Sequence, residues 1–158
     1  MAINIGNLGE QLVSQWLQSK SYCILHHNWH CRWGEIDIIA LDKTAATLIF
    51  VEVKTRQKNN WDNDGLEAIS FTKQQKISQS AATFLSQNSN YYDLYIRFDV
   101  ALIQYQKSSQ KTKKPRLKQD LSLFLDNLFL DKIIISHQSS EIELRLIKYL
   151  ENAFEATL

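Results

Sequence analysis

The sequence predicts an α/β protein in which helices flank a mixed central sheet. Three observations lead there. An apolar stripe at helical spacing opens the chain. Three runs rich in β-branched and aromatic residues follow it closely. A second helical stripe then precedes a further strand-like run. The order is helix, three strands, helix, strand, and then a tail of less regular pattern.

Leu8, Leu12, Val13, Trp16 and Leu17 recur at the spacing of one helix face, which predicts an amphipathic helix over Asn7–Lys20. "SYCILHHNW" predicts a strand over Tyr22–Asn28. "GEIDIIALD", opened by Gly34, predicts a second strand, and "ATLIFVEVKT" a third, rich in residues that suit a pleated buried surface. The short "LDKTAAT" between them suits a hairpin loop, so these two strands are expected as antiparallel neighbours. "QKNNWDNDG" is polar and full of turn formers, and reads as a loop. Thr72 and Gln75 have capping-box spacing for a helix running to Gln87, with Ile77, Ala81, Phe84 and Leu85 facing inward. "YIRFDVALIQY" is the fourth strand.

After Gln106 the composition shifts. "KSSQKTKKPRLK" is basic, has no acid and carries the single proline, Pro115. "DLSLFLDNLFLDKIIISH" suits a helix followed by a strand; "EIELRLIKYL" fits either and is taken as strand. The expected organisation is one domain over residues 1–158, with a core to about 106 and a basic loop and extension over 107–158.

Bulk properties narrow the function classes. With 44% apolar and 22% charged residues, the 158-residue chain is ordinary globular material. A net charge of +1 does not mark the whole chain as a nucleic-acid binder, so any such role must rest on local charge. Cys23 and Cys31 form no CxxC pair and suggest no disulfide framework. "MAINIGNLGEQL" lacks the pattern of a signal peptide, and no apolar run reaches the roughly 18 residues of a membrane helix. The expectation is a soluble, cytoplasmic protein without membrane partners.

"LIFVEVKTR" raises the chemical question, because an apolar strand ends in Glu52, Lys54 and Arg56. Alternate strand residues share a face, so Glu52 and Lys54 project together with Phe50 and Leu48, while Val51 and Val53 face the other way. Glu35 and Asp37 share a face in the preceding strand by the same rule. Hairpin pairing would bring Asp37, Glu52 and Lys54 together. Close carboxylates repel, and a hard divalent ion removes the conflict. Mg²⁺ suits one or two carboxylates with water and phosphate oxygens, and it activates water against a phosphoryl centre. A lysine alongside can orient that water and offset developing charge. The plain alternative is a solvated strand end whose ion pairs are worth under about 1 kcal/mol.

"GEIDIIA" followed by "FVEVKTR" resembles the PD-(D/E)XK nuclease signature, with Asp37 as first acid and Glu52 and Lys54 as the ExK. More narrowly, "GNLGEQLVSQWL", "YCILHHNWHCRWGEIDIIA", "FVEVKTR", "LEAISFTKQQKI", "IRFDV" and the closing "ENAF" resemble a YraN-like family of predicted endonucleases distantly related to archaeal Holliday-junction resolvases. The proline that precedes the first acid in the general signature is Ile36 here. The resemblance implies a restriction-endonuclease-like αβββαβ core and a metal-dependent DNA endonuclease, acting on branched DNA in the resolvase case. It implies Mg²⁺ or Mn²⁺ on Asp37 and Glu52, with the Val53 carbonyl as a further protein oxygen. Glu10, which the residues alone read as a solvated helix position, would complete the acidic cluster. Lys54 would position the attacking water, and a 5′-phosphate and 3′-hydroxyl would result. Relatives in the resolvase group are dimers, so a homodimer is expected. A rival expectation is a nucleic-acid-binding protein that keeps the fold and cleaves little. No residue excludes RNA as the substrate.

Other groups carry weaker expectations. Arg32, Arg56 and Lys58 could hold phosphates beside the site, and Lys107, Lys111, Lys113, Lys114, Arg116 and Lys118 could add a second basic footprint or form a merely solvated loop. His26, His27, His30, Cys23 and Cys31 lie close in sequence, but their spacing fits no structural zinc pattern. Trp29, Trp33 and Trp61 suit packing better than base stacking. Glu35 reads as a further ligand or as a partner of Arg32, and Asp99 as a structural hydrogen-bonding acid.

Overall fold

A computed structural model describes residues 4–59, 69–108, 132–137 and 140–157. Helix α1 spans Ile5–Ser19, and strands β1, β2 and β3 span Cys23–Cys31, Gly34–Asp42 and Thr47–Gln57. Helix α2 spans Phe71–Gln87, a single 3₁₀ turn covers Ser89–Tyr91, and β4 spans Tyr95–Ser108. Strands β5 (Lys132–His137) and β6 (Ser140–Phe154) complete the described elements. The sheet has six strands in the order β1-β2-β3-β4-β6-β5. Among the described residues only the β3–β4 pair is parallel, and α2 lies between those two strands in sequence, which suits a parallel crossover.

The mixed α/β architecture expected from the sequence is present, and so is the β2–β3 hairpin, with Ile38 opposite Val51 and Asp42 opposite Thr47. The Asp42 carboxylate closes its turn by accepting from Thr44 N and Ala45 N at 2.9 and 3.1 Å. The strand reading of "EIELRLIKYL" also holds: β6 pairs with β4 over most of its length, so the extension widens the sheet of the core. The helix expected near residues 120–131 lies outside the described residues, as do Lys113, Lys114, Arg116 and Trp61.

One expectation is corrected. Thr72 does not begin α2. Ser70 is the N-cap, and its hydroxyl accepts from Lys73 N at 3.2 Å. Both residues are competent caps. Burial decides between them, because Ile69 is anchored in the core and its carbonyl accepts from the Gln74 amide at 3.2 Å, which fixes the entry point two residues earlier than the Thr72 pattern suggests. Strand β1 also runs on to Cys31, beyond the Asn28 boundary expected from its apolar run.

Helices α1 and α2 cover opposite faces of the sheet. Leu12, Val13 and Leu17 of α1 pack with Ile38, Ala40, Ile49, Val51, Ala101 and Leu144. Ile77, Ala81 and Phe84 of α2 pack with Ile39, Leu48, Phe50, Phe98 and Leu102. Phe84 is the centre of the second cluster, meeting Trp29 and Phe50 edge-on at 5.4 and 6.0 Å. Asp99, wholly buried, is a structural acid as the sequence suggested. Its carboxylate accepts from Arg97 Nε at 2.9 Å, Tyr149 Oη at 2.8 Å and Asn152 N at 2.9 Å.

Gly9 sets how closely α1 approaches the sheet. A Cβ at this position would collide with Thr55 Oγ1, so only glycine lets the helix backbone lie against β3 here. The next residue is Glu10. Gly9→Ala should therefore lower stability by about 1–3 kcal/mol by overpacking, despite alanine's better helix propensity. Adding Thr55→Ala removes the obstructing oxygen and should recover most of the loss. A urea-denaturation double-mutant cycle reads this directly, and additive losses would contradict the contact.

Candidate functional site

The β2–β3 hairpin opens at its far end. The ladder holds from Asp42–Thr47 to Ile38–Val51 and goes no further. At that point the side-chain alternation of β2 also breaks, since Ile36 and Ile38, two residues apart, pack in opposite clusters. Between them stands Asp37, so the equal spacing that placed Glu35 and Asp37 on one face does not hold. The Asp37 carboxylate reaches across the opening and accepts from Val53 N at 2.7 Å. A side chain thus takes the place of a backbone acceptor where the strands part.

Glu52 occupies the adjacent position on β3. It is 3% exposed and Asp37 is 7% exposed. Glu52 follows Leu48 and Phe50, which lie in the α2 cluster, so the face expected from the sequence is the one observed. Lys54, two residues on, places Nζ 2.7 Å from Glu52 Oε1. Lys73, in the first turn of α2, places Nζ 3.2 Å from Oε2. That second contact is close but out of line, so Oε2 remains buried without a hydrogen bond.

Glu10 of α1 belongs to the same neighbourhood. Its Oε2 accepts from the Asn28 amide at 2.8 Å, and Asn28 itself adopts a left-handed φ of 46°. Burial pushes the Asp37 carboxyl up, and the negative charges of Glu52 and Glu10 push it the same way. The Val53 N–H and the Lys73 ammonium oppose them, and the result is a carboxyl raised to about 7. The acids expected to converge are therefore electrically coupled.

This donor set fits a hard divalent cation. Carboxylate oxygens from β2 and β3 are buried together, Glu52 Oε2 lacks a hydrogen bond, and burial beside two further acids raises the Asp37 carboxyl. Among the described residues, no three His, Cys, Asp or Glu side chains stand together at ligand spacing, and Glu52 is turned to the two ammoniums.

The remaining expected residues divide by position. Arg56 follows Lys54 on the same face of β3. Arg32 sits at the tip of the β1–β2 hairpin, at the sheet end where the site lies, with its guanidinium 4.5 Å from the Trp33 ring centre. Lys58 lies past β3 and donates its backbone N–H to Tyr105 O at 2.8 Å, beside a small groove shared with Gln104, Glu143 and Arg145. Glu35 is exposed and pairs with His30 at 3.5 Å, not with Arg32. The histidines do not gather, since His26 meets Phe84 edge-on at 5.4 Å while His27 lies 3.4 Å from Ser14 of α1.

Sequence reasoning missed Asn28 and Lys73. Both left a signal. Asn28 is a residue type that tolerates left-handed backbone inside an otherwise extended run. Lys73 is a cation in the first turn of a helix, where the macrodipole disfavours it.

The fold and site define a mixed α/β protein with a buried acid pair and a lysine where two strands of its sheet diverge. The chain belongs to the family whose model carries the description "Uncharacterised protein family UPF0102", which matches residues 9–103 and so spans Glu10, Asp37, Glu52, Lys54 and Lys73. It is 40% identical to a UPF0102 protein of Trichormus variabilis over 99% of this chain and 97% of that protein. It is 49% identical to one of Nostoc sp. strain PCC 7120 over 69% of this chain and 80% of that protein. A UPF0102 protein of Acaryochloris marina is 39% identical over 96% of this chain and 90% of its own length. No described helix is long and apolar enough to cross a membrane.

The raised Asp37 carboxyl sets a sign for pH dependence. The folded state holds this proton up to about pH 7, whereas the unfolded chain releases it near 3.8. Stability from this group is therefore greatest below pH 4 and falls as pH rises toward 7. Asp37→Asn keeps the acceptor for Val53 N and removes the charge. Its stability relative to wild type should grow from pH 4 to 7 and stay level above, by a few kcal/mol at most, about 1.4 per pH unit. Thermal melts across that range in EDTA test it, and a variant no more stable than wild type at pH 8 would contradict the buried, unneutralised acid.

Proposed function

We propose that the protein is a Mg²⁺- or Mn²⁺-dependent endonuclease of the PD-(D/E)XK type that hydrolyses phosphodiester bonds in DNA. The single observation that carries this reading is the buried pair Asp37 and Glu52, held on diverging strands with Lys54 2.7 Å from Glu52. The helix and strand order α1-β1-β2-β3-α2-β4 supports it, because it is the αβββαβ order of the restriction-endonuclease-like core.

In this reading Asp37 and Glu52 hold the ion, with Glu10 acting directly or through water and the Val53 carbonyl as a further oxygen. The bound ion supplies Lewis acidity at a phosphoryl oxygen and lowers the pKa of a water. The chain does the rest. Val53 N fixes one Asp37 oxygen and so orients the carboxylate. Lys54, freed from part of its pairing with Glu52, directs a water at phosphorus and faces the charge that builds there. Arg32 and Arg56, at the same end of the sheet, suit backbone phosphates on either side of the scissile bond.

A second reading is a nucleic-acid-binding protein that retains this fold without cleaving. One observation favours it: Glu52 already carries two ammoniums, which satisfy its charge without an ion. Nicking assays on branched DNA, plain duplex and RNA, with Mg²⁺, Mn²⁺ or EDTA, separate the two. The nuclease reading expects metal-dependent cleavage that Asp37→Ala and Glu52→Gln each reduce by about a hundredfold or more. Tight binding with no cleavage of any substrate in either ion would establish the binding protein instead.

A further inference from the structure

We propose that Lys73 is a positioning residue for the acidic pair: it holds Glu52 in the metal-free protein, and yields that carboxylate to the ion and turns to the substrate phosphate when both bind. This rests on the nuclease reading and assigns one more side chain to its site.

Lys73 is the third residue after the Ser70 cap of α2. A cation there opposes the helix macrodipole by about 0.3–1 kcal/mol, and the first turn contains no acid of its own to offset it. Helix stability therefore gives no reason for a lysine. The reason lies across the interface, where Nζ is 3.2 Å from Glu52 Oε2.

Glu52 needs only one positive charge to be neutral, and Lys54 provides it from the same strand face at 2.7 Å. The second ammonium is surplus to that structural need. Glu52 Oε2 makes no hydrogen bond, so Lys73 is attached by charge alone. A hard cation can replace it there without breaking a directed bond. The lysine stem is flexible and its side chain is 29% exposed, so the displaced ammonium has room to move toward solvent and stays within a few ångströms of the pocket. A phosphodiester drawn to the ion then meets a free cation at the pocket mouth.

The test uses the full-length protein and measures Mn²⁺ binding without nucleic acid, by the electron paramagnetic resonance of free Mn²⁺. Lys73→Met removes the competitor and should bind Mn²⁺ about fivefold more tightly, the scale of one partly exposed charge pair. Lys73→Arg should behave as wild type. Duplex DNA binding in Ca²⁺, over a salt series, supplies the second readout: Lys73→Met should weaken binding and lower the salt slope by about one, the signature of one lost phosphate contact. Lys73→Gln repeats both measurements with a polar side chain, in case the methionine variant is poorly soluble.

Tighter Mn²⁺ binding together with a reduced salt slope supports the proposal. Unchanged or weaker Mn²⁺ binding by Lys73→Met, or an unchanged slope, overturns it and leaves Lys73 a structural ion-pair partner. A wild-type protein that binds no Mn²⁺ overturns the nuclease reading itself. Wild-type binding with an unaltered Lys73→Met overturns this inference alone.

Discussion

Two carboxylates buried side by side are the constraint around which the rest of the structure is arranged. Ionised, each costs several kcal/mol to remove from water, and their repulsion adds to that. A pliable protein would relieve the conflict by letting one acid swing outward. Here neither can move far. Asp37 is fixed to Val53 N in the gap between β2 and β3, and Glu52 lies on a strand packed on both faces. Phe50 and Leu48 anchor one side of β3, and Val51 and Ile49 the other, so a shift of Glu52 would disturb both clusters at once.

The same chain shows how it treats a buried acid that only has to be stable. Asp99 sits on β4 directly opposite Val51, one residue from the Glu52 position, and is more deeply buried than Asp37. It is saturated by the Arg97 fork, the Tyr149 hydroxyl and the Asn152 N–H. Burial and the Asp99 charge push the Tyr149 phenol up, so it remains a donor. Asp37 receives one N–H and faces two further acids. Two buried aspartates, on the strands that flank β3, thus have opposite surroundings. Structural need explains the first. The second is the arrangement expected where an acid is kept for a partner from outside the chain.

Much of this was legible in the sequence because it follows from local periodicity. The helical spacing of Leu12, Val13 and Leu17 and the alternation of Leu48, Phe50 and Glu52 against Val51 named the buried faces of α1 and β3. Those patterns are properties of single elements. What could not be read depends on how elements meet. The break in alternation at Asp37 exists because β2 leaves β3 after Ile38, and no residue spacing announces that parting. Lys73 joins Glu52 through a helix that begins well beyond it in sequence, and Ser70 outcompetes Thr72 as the cap because Ile69 is buried. Likewise β6 joins the sheet beside β4 from the far end of the chain, a long-range pairing that its ambiguous apolar pattern does not encode.

The charges near the fork give the nuclease reading its internal consistency. Were Asp37 ionised together with Glu52 and Glu10, against the ammoniums of Lys54 and Lys73, the pocket would hold one excess negative charge. Burial is the main cause of the raised Asp37 carboxyl and the charges of Glu52 and Glu10 add to it; under this reading the same charges attract a cation. A divalent ion reverses the sign and leaves one excess positive charge, the complement of a single phosphodiester. A monovalent ion would leave the pocket merely neutral, with little hold on a polyanion. Charge alone therefore orders the events under this reading: the metal-free pocket repels a nucleic-acid backbone, and the loaded pocket draws it in. Under the same reading Arg32 and Arg56 would guide the polymer to the site, and the loaded acid pair would hold the scissile phosphate within it.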